Sequence, residues 1–297
     1  MADGPQAEAA PPVIPVPFLR SLPLQLDLQL DSMNVDGAEL SQVQIKLSGH
    51  DGIIQVAPLT ARLYGGSMKV EATLDVSGDL PQLHLKPSIK QVQLAPLFQG
   101  MMGREEVTGM ALIQGDIRSS GLSREELLNH INGTMQVAIL NGEIKAVTIM
   151  PVIRTTLALH RKEAAPPLTG DGATEFDRLT GTGILEDGIL YNDDLMAASE
   201  SMQMTGAGEI DLTRRQIDFM LNISLPPDLA QDKDMGLTEL SGRTIPYKIF
   251  GPLTDLKQEA DIEKLLPTES RPEPLKKLKE QQAEAAPVHK KKETKGD

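Results

Sequence analysis

Hydrophobic and polar residues alternate along most of this chain with a period of two. Leu22, Leu24, Leu26, Leu28 and Leu30 are separated by Pro23, Gln25, Asp27, Gln29 and Asp31. A strand with this sequence carries its aliphatic side chains on one face and its polar ones on the other. Val43, Ile45 and Leu47 repeat the pattern, then Leu59, Ala61 and Leu63, then Met68, Val70, Ala72, Leu74 and Val76, and more weakly Leu83 and Leu85. His50-Asp51-Gly52, Gly65-Gly66 and Gly78-Asp79 divide these runs, residue types that tolerate positive φ and close tight hairpins. The pattern predicts an antiparallel meander.

Helical spacing is brief. LAPLFQGMMG (94–103) predicts one short helix. Ser123 and Glu126 form a capping-box pair ahead of Leu127, Leu128 and Ile131. A further helix is expected over 150–162, where Ile149, Val152, Ile153, Thr156 and Leu157 share a face and Pro151 fits the first turn. Between them, TMQVAILNGEIKAV (134–147) reads as a hairpin closed by Asn141-Gly142. Residues 163–175 read as a loop, and strands resume at Phe176. The strand Gln216–Leu225 should pair with 202–212 across Thr213-Arg214. Ile245, Tyr247 and Ile249 predict a late strand, and a short element is expected over 257–266.

Residues 186–212 align without a gap against 50–76. Asp51/Asp187, Gly52/Gly188, Ile53/Ile189, Leu59/Leu195, Ala61/Ala197, Met68/Met204 and Asp75/Asp211 are identical pairs. A supersecondary unit is therefore repeated, and a unit that leaves one face greasy grows by addition. The expected fold is mainly β: an extended, curled antiparallel sheet, forming a groove or a flattened barrel or sandwich, built from repeated hairpins with two or three short helices. Residues 1–21 are rich in Pro and Ala and read as a linker, 22–266 as the β domain, and 267–297 as a disordered charged tail.

Composition narrows the function. The chain of 297 residues carries a net charge of −13; the tail, with eight Lys/Arg and six Asp/Glu, accounts for +2, leaving −15 on the rest. That sign disfavours nucleic-acid binding and adsorption to an anionic membrane surface. Five Phe, three Tyr and no Trp leave the apolar surface almost wholly aliphatic, which suits a broad wall better than a tight pocket. There is no Cys, hence no disulfide or thiolate metal site. No run reaches the roughly 18 apolar residues of a membrane span. The linker lacks the basic residues of a signal peptide, which suggests a fragment whose upstream part lies elsewhere.

Candidate chemistry is sparse. His50, His84, His130, His160 and His289 share no metal-binding spacing, and no nucleophile elbow or phosphate loop occurs. The glycine pairs of GTG (181–183) and GAG (206–208) read as bulges that help a sheet curl. Asn192-Asp193-Asp194 lacks the further spaced carboxylates of a Ca²⁺ loop and reads as a solvated hairpin turn. Lys290-Lys291-Lys292 belongs to the solubilising tail. No catalytic residue, cofactor or metal is expected.

The order of the pieces carries a resemblance. LNHINGTMQVAILNGEIKAVTI (128–149) precedes FDRLTGTGILEDGILYNDDLMAASESMQMTGAGEIDLTRRQIDFMLNISL (176–225), and LSGRTIPYKIFGPLTDLKQEADIEKLL (240–266) closes the series. This succession, with APLTARLYGGSMKVEATLDVSG (57–78) upstream, resembles the C-terminal region of the AsmA family of bacterial envelope proteins over about 22–266. The resemblance implies a long curled sheet on the periplasmic side of a Gram-negative inner membrane, attached through an upstream anchor. It also implies a part in outer-membrane assembly or lipid homeostasis, with phospholipid or another acyl-chain lipid as ligand and envelope proteins as possible partners.

The resemblance supplies no catalytic motif. Leu22, Leu24, Leu26, Leu28, Leu30, Val43, Ile45, Leu47, Met68, Val70 and Leu74 are the lipid-groove candidates. Burying a leucine is worth roughly 1.5–3 kcal/mol, so either an opposing protein face covers them or a guest does. A closed scaffold that binds assembly factors without lipid is the alternative.

Overall fold

The computed structural model describes residues 14–21, 23–164, 167, 172–227 and 237–266. The expected tail and Leu22 lie outside the described residues. Within the expected linker, Val16–Arg20 form a single helical turn, α1.

Thirteen strands form one sheet in strict sequence order, each antiparallel to the next. They are β1 (Leu24–Val35), β2 (Ala38–His50), β3 (Ile53–Leu63), β4 (Gly66–Asp75), β5 (Gln82–Gln93), β6 (Met110–Ser120) and β7 (Asn132–Ile144). The series continues with β8 (Thr174–Glu186), β9 (Ile189–Ala198), β10 (Gln203–Asp211), β11 (Gln216–Ser224), β12 (Thr244–Pro252) and β13 (Lys257–Ala260). The sheet is curled and unclosed: among the described residues β1 pairs only with β2 and β13 only with β12. The expected curled antiparallel sheet is present, and the barrel or sandwich options are not.

Three further helices interrupt the meander. Leu94–Met102 (α2) and Ile149–Arg161 (α4) stand where their apolar spacing put them. Arg124–Asn129 (α3) is capped by Ser123, whose Oγ accepts from Glu126 N at 3.1 Å, while Leu122 N donates to the Glu126 carboxylate at 2.7 Å.

The hairpin expected at Asn141-Gly142 does not form. β7 runs straight through it, pairing Leu140 with Arg178 and Gly142 with Phe176. Asn141 takes φ 48° in mid-strand, as Gln42 and Gln91 take 51° and 57° in β2 and β5. The positive φ that a tight turn needs is equally what a bulge needs, and here it absorbs one extra residue. A Cβ on Gly142 would lie 2.6 Å from the Phe176 ring and 2.7 Å from Thr108 O, so only glycine lets the three strands close at that point.

The sequence repeat is structural. Asp51-Gly52 and Asp187-Gly188 adopt the same left-handed pair of conformations (φ 51° and 78°, 46° and 84°). Gly52 O and Gly188 O accept from Val76 N and Leu212 N at 2.8 and 2.9 Å. In the first copy the register slips between Val56↔Ala72 and Leu59↔Val70. In the second it slips between Asn192↔Gly208 and Leu195↔Gly206, the very positions that the gapless alignment equates.

An open aliphatic trough as the candidate functional site

Cross-strand register joins the apolar positions into continuous rows. Leu26 faces Leu47, which faces Val56, then Ala72, Leu85 and Ile117. Beside it runs Leu28, Ile45, Leu59, Val70 and Pro87. Every residue in both rows is half-buried. Six strand spacings of about 4.8 Å make this floor roughly 29 Å long from β1 to β7.

Helices form its margins. On one side Leu97 of α2 packs over a cluster comprising Ala38, Leu40, Val43, Ala61, Leu63 and Val92, with Tyr64 alongside. On the other, Leu127 and Leu128 of α3 and the following Ile131 stand over Leu83, Leu85 and Ile117, enclosing a hollow of ≈160 Å³ with Arg124 at its edge. Ser119 Oγ donates to Leu127 O at 2.6 Å and ties α3 to β6. At the β4–β5 end, the Arg20 guanidinium donates to Val76 O at 2.6 Å and to Gly78 O, which holds α1 to the sheet.

From β8 onward the same apolar face is sealed. Ile149, Ile153 and Leu157 recur at the helical interval along one side of α4 and are at most 2% exposed. They share one core with Phe176, Leu221, Ile223, Ile245 and Tyr247, and Leu237, Leu240, Ile262 and Leu266 complete the cover. Polar groups fasten the start of α4. Gln258 Oε1 accepts from Thr148 N and from Tyr247 OH, both at 2.8 Å, and its amide donates to Ala146 O at 2.9 Å. Thr174 Oγ1 donates to Val147 O at 2.6 Å and accepts from Ile149 N at 3.3 Å. Burial pushes the Tyr247 hydroxyl far above its usual range, so it remains a donor to Gln258. The half-buried aliphatic face thus runs from β1 to the sealed core at α4.

The sequence candidates fall in three places. Leu24, Leu26, Leu28, Leu47, Val70 and Leu74 are half-buried on the floor, and Leu30 is 38% exposed near the open edge. Val43 is 1% exposed inside the cluster under α2, with Ile45 and Met68 packed against it. Leu22 lies outside the described residues. Val56, Leu59, Ala72, Leu85, Ile117 and Met135 also line the floor. Pro87, Gly115 and Gly133 share that face, which dilutes the alternation in β5–β7; tracing register from the clear runs of β3 and β4 finds them.

A cluster of titratable groups around Asp116 sits on the opposite face. Asp116 holds His84 Nε2 at 2.8 Å, Arg118 at 3.4 Å and Lys86 at 3.7 Å. The hydrogen bond from His84, aided by the Arg118 and Lys86 charges, keeps its carboxyl below the usual range. Asp194 is not in a hairpin turn but at the bulge of β9. Its carboxylate accepts from Thr182 N at 2.7 Å and from Asn192 Nδ2 at 2.7 Å, and the Thr182 amide lowers its pKa. Both glycine pairs fall at register slips, Thr180/Ile184 and Gly206/Gly208. No cluster of His, Asp and Glu fit to hold a metal occurs among the described residues, nor is any described helix long and apolar enough to cross a membrane.

An unclosed meander with a one-sided aliphatic floor, margined by short helices and stopped by a longer one, defines a single-sheet groove protein. The AsmA family model matches residues 6–195, and the chain belongs to the AsmA family. It is 19% identical over 242 residues to Protein AsmA of Escherichia coli (strain K12), a match covering 81% of this chain and 39% of that protein. No solved structure matches.

Proposed function

We propose that this chain is a non-enzymatic envelope protein that shelters phospholipid acyl chains along the β1–β7 floor, in support of outer-membrane assembly or lipid homeostasis. Membership of the AsmA family supports an envelope role on the periplasmic side of the inner membrane. The observation that carries the lipid reading is the pair of half-buried aliphatic rows that runs between α2 and α3. A bilayer core of about 30 Å gives each acyl chain roughly half that depth, so the floor has length for a chain laid across its strands.

The energetics fit loose holding. Each methylene fully taken from water gains about 0.8 kcal/mol. Ten methylenes half-covered by the floor gain roughly 4 kcal/mol, a millimolar hold. Neither an aromatic clamp nor a polar socket interrupts the rows, so a chain can slide. The sealed β8–β12 half favours a second role as a rigid scaffold for envelope assembly factors. Purification from membranes under gentle conditions followed by native mass spectrometry tests the lipid reading. Co-purified phospholipid that is lost on Leu85→Asp substitution is the expected result. Protein that stays empty after incubation with phospholipid vesicles would refute it.

A further inference from the structure

On the outer face of the sheet, register builds a second lattice. Arg62 of β3 stands opposite Ser67 of β4, which stands opposite Lys90 of β5. One step along the strands come Thr60, Lys69 and Ser88, with Gln44 of β2 beyond Thr60. Ala61 and Met68 alternate with them and pack on the other face, in the cluster under α2. The outer side chains line one hollow of ≈340 Å³, inside the range of about 300–1,000 Å³ usual for small-ligand sites. Bulges bracket it. Gln42 in β2 and Gln91 in β5 take φ 51° and 57°, and the register slips at Ser41/Gln44 and Lys90/Val92. Such bulges bend a strand and re-aim its side chains, which is how a level sheet face gains a concavity here.

The charge of this hollow is opposite to that of the molecule. Three cations and no carboxylate line it, in a chain of net charge −13. β3 and β5 contain no Asp or Glu. The nearest carboxylates along β4 and β6 are already engaged: Glu71 with Lys69 at 2.7 Å, and Asp116 with His84, Lys86 and Arg118. Arg62 and Lys90 are exposed and make no ion pair among the described residues. Between them stands the hydroxyl of Ser67, a group that donates to an oxyanion. At physiological ionic strength charges beyond about 8 Å are screened, so the local excess outweighs the acidic remainder of the chain. No aromatic ring lines the hollow for a base to stack on.

We propose that this hollow is a phosphate-binding site, in which the Arg62 guanidinium and the Lys90 ammonium flank a phosphoryl group above the Ser67 hydroxyl. Lys69 is a third cation, shared with Glu71. Arginine offers a planar fork to two phosphate oxygens and lysine a point charge. The ligand is a water-soluble phosphate ester or polyphosphate, not the head of a lipid held on the floor, because the sheet itself lies between the floor and these side chains. The inference holds whatever cargo the trough carries.

The test titrates the full chain with pyrophosphate in a calorimeter, at an ionic strength fixed with KCl, and maps the site by hydrogen exchange. Binding should protect β3–β5 around Arg62, Ser67 and Lys90. Arg62→Gln and Lys90→Gln, both at exposed positions, should each weaken it about tenfold, the scale of one charge-assisted hydrogen bond, and Arg62→Lys should lose less. Arg124→Gln, which removes a cation at α3, should leave binding unchanged. Phosphatidylcholine vesicles containing phosphatidate should not displace pyrophosphate. No binding to the folded chain, an equal loss from Arg124→Gln, or displacement by the vesicles would each overturn the proposal.

Discussion

Placing a carboxylate on the floor and another in the core separates an open trough from a closed one. Val70 lies mid-floor in β4, between Leu59 and Pro87. Val70→Asp forfeits the partial burial of a valine, at most about 1.5 kcal/mol, and a strand preference of up to about 1 kcal/mol. The new carboxylate stays hydrated through the open side, so no large desolvation cost is added. The total is roughly 1–2.5 kcal/mol, a fall in Tm of about 2–10 °C for a domain of this size. Ile223 in β11 is 0% exposed and sits under the α4 cover. Ile223→Asp loses the full side-chain transfer, about 3 kcal/mol, and buries a charge that costs several kcal/mol more. That exceeds much of the stability of an ordinary domain. Urea unfolding followed by far-UV circular dichroism reads both. A folded Val70→Asp protein beside an unfolded or molten Ile223→Asp protein is expected. Equal damage at the two sites would mean that the floor is packed shut, and the trough would be a core.

Gln258→Ala should cost about 2–4 kcal/mol, because it leaves Thr148 N and Ala146 O without partners at the start of α4; faster hydrogen exchange in α4 than in α3 would localise the loss. Gly208→Ala should cost about 1–3 kcal/mol in denaturant unfolding, since the added methyl meets Asp218 O and Phe219 Cα across β10–β11. Asp194 has its folded pKa below its ordinary 3.8, so its contribution is complete above that value and is lost as pH falls through the lowered folded one. Asp194→Asn should therefore flatten the acid limb of the stability–pH curve between pH 5 and 2 (about the range where carboxylates titrate) and leave its neutral region level.

The alternating leucines and the Asp-Gly turns made the meander legible, because period two and positive φ are local properties. Ile149, Ile153 and Leu157 likewise announced a one-sided helix. Asn141-Gly142 misled because a hairpin and a bulge demand the same backbone angle, and only the partner strands decide between them. The floor was legible in part. Leu26 and Val43 obey one alternation, yet Leu26 is only half-buried and Val43 is fully buried in the cluster under α2. Which stretch a helix covers depends on the reach of the loops at either end of it, and alternation carries no record of that. Ile117 and Met135 went unrecognised because glycines share their face, and glycine is silent in a hydrophobic pattern.

Strict sequence-order pairing also bears on how the molecule is made. Each strand pairs only with the strand before and the strand after it, so ordering one leaves a single loop closure to the next, and the entropic cost of that step grows only slowly with loop length. The α4-covered end holds the densest core and is the natural seed, with the remaining strands zipping toward β1. A fold assembled this way can gain or shed hairpins at its unsealed side without disturbing what has already formed, which makes length the easiest property for its lineage to change.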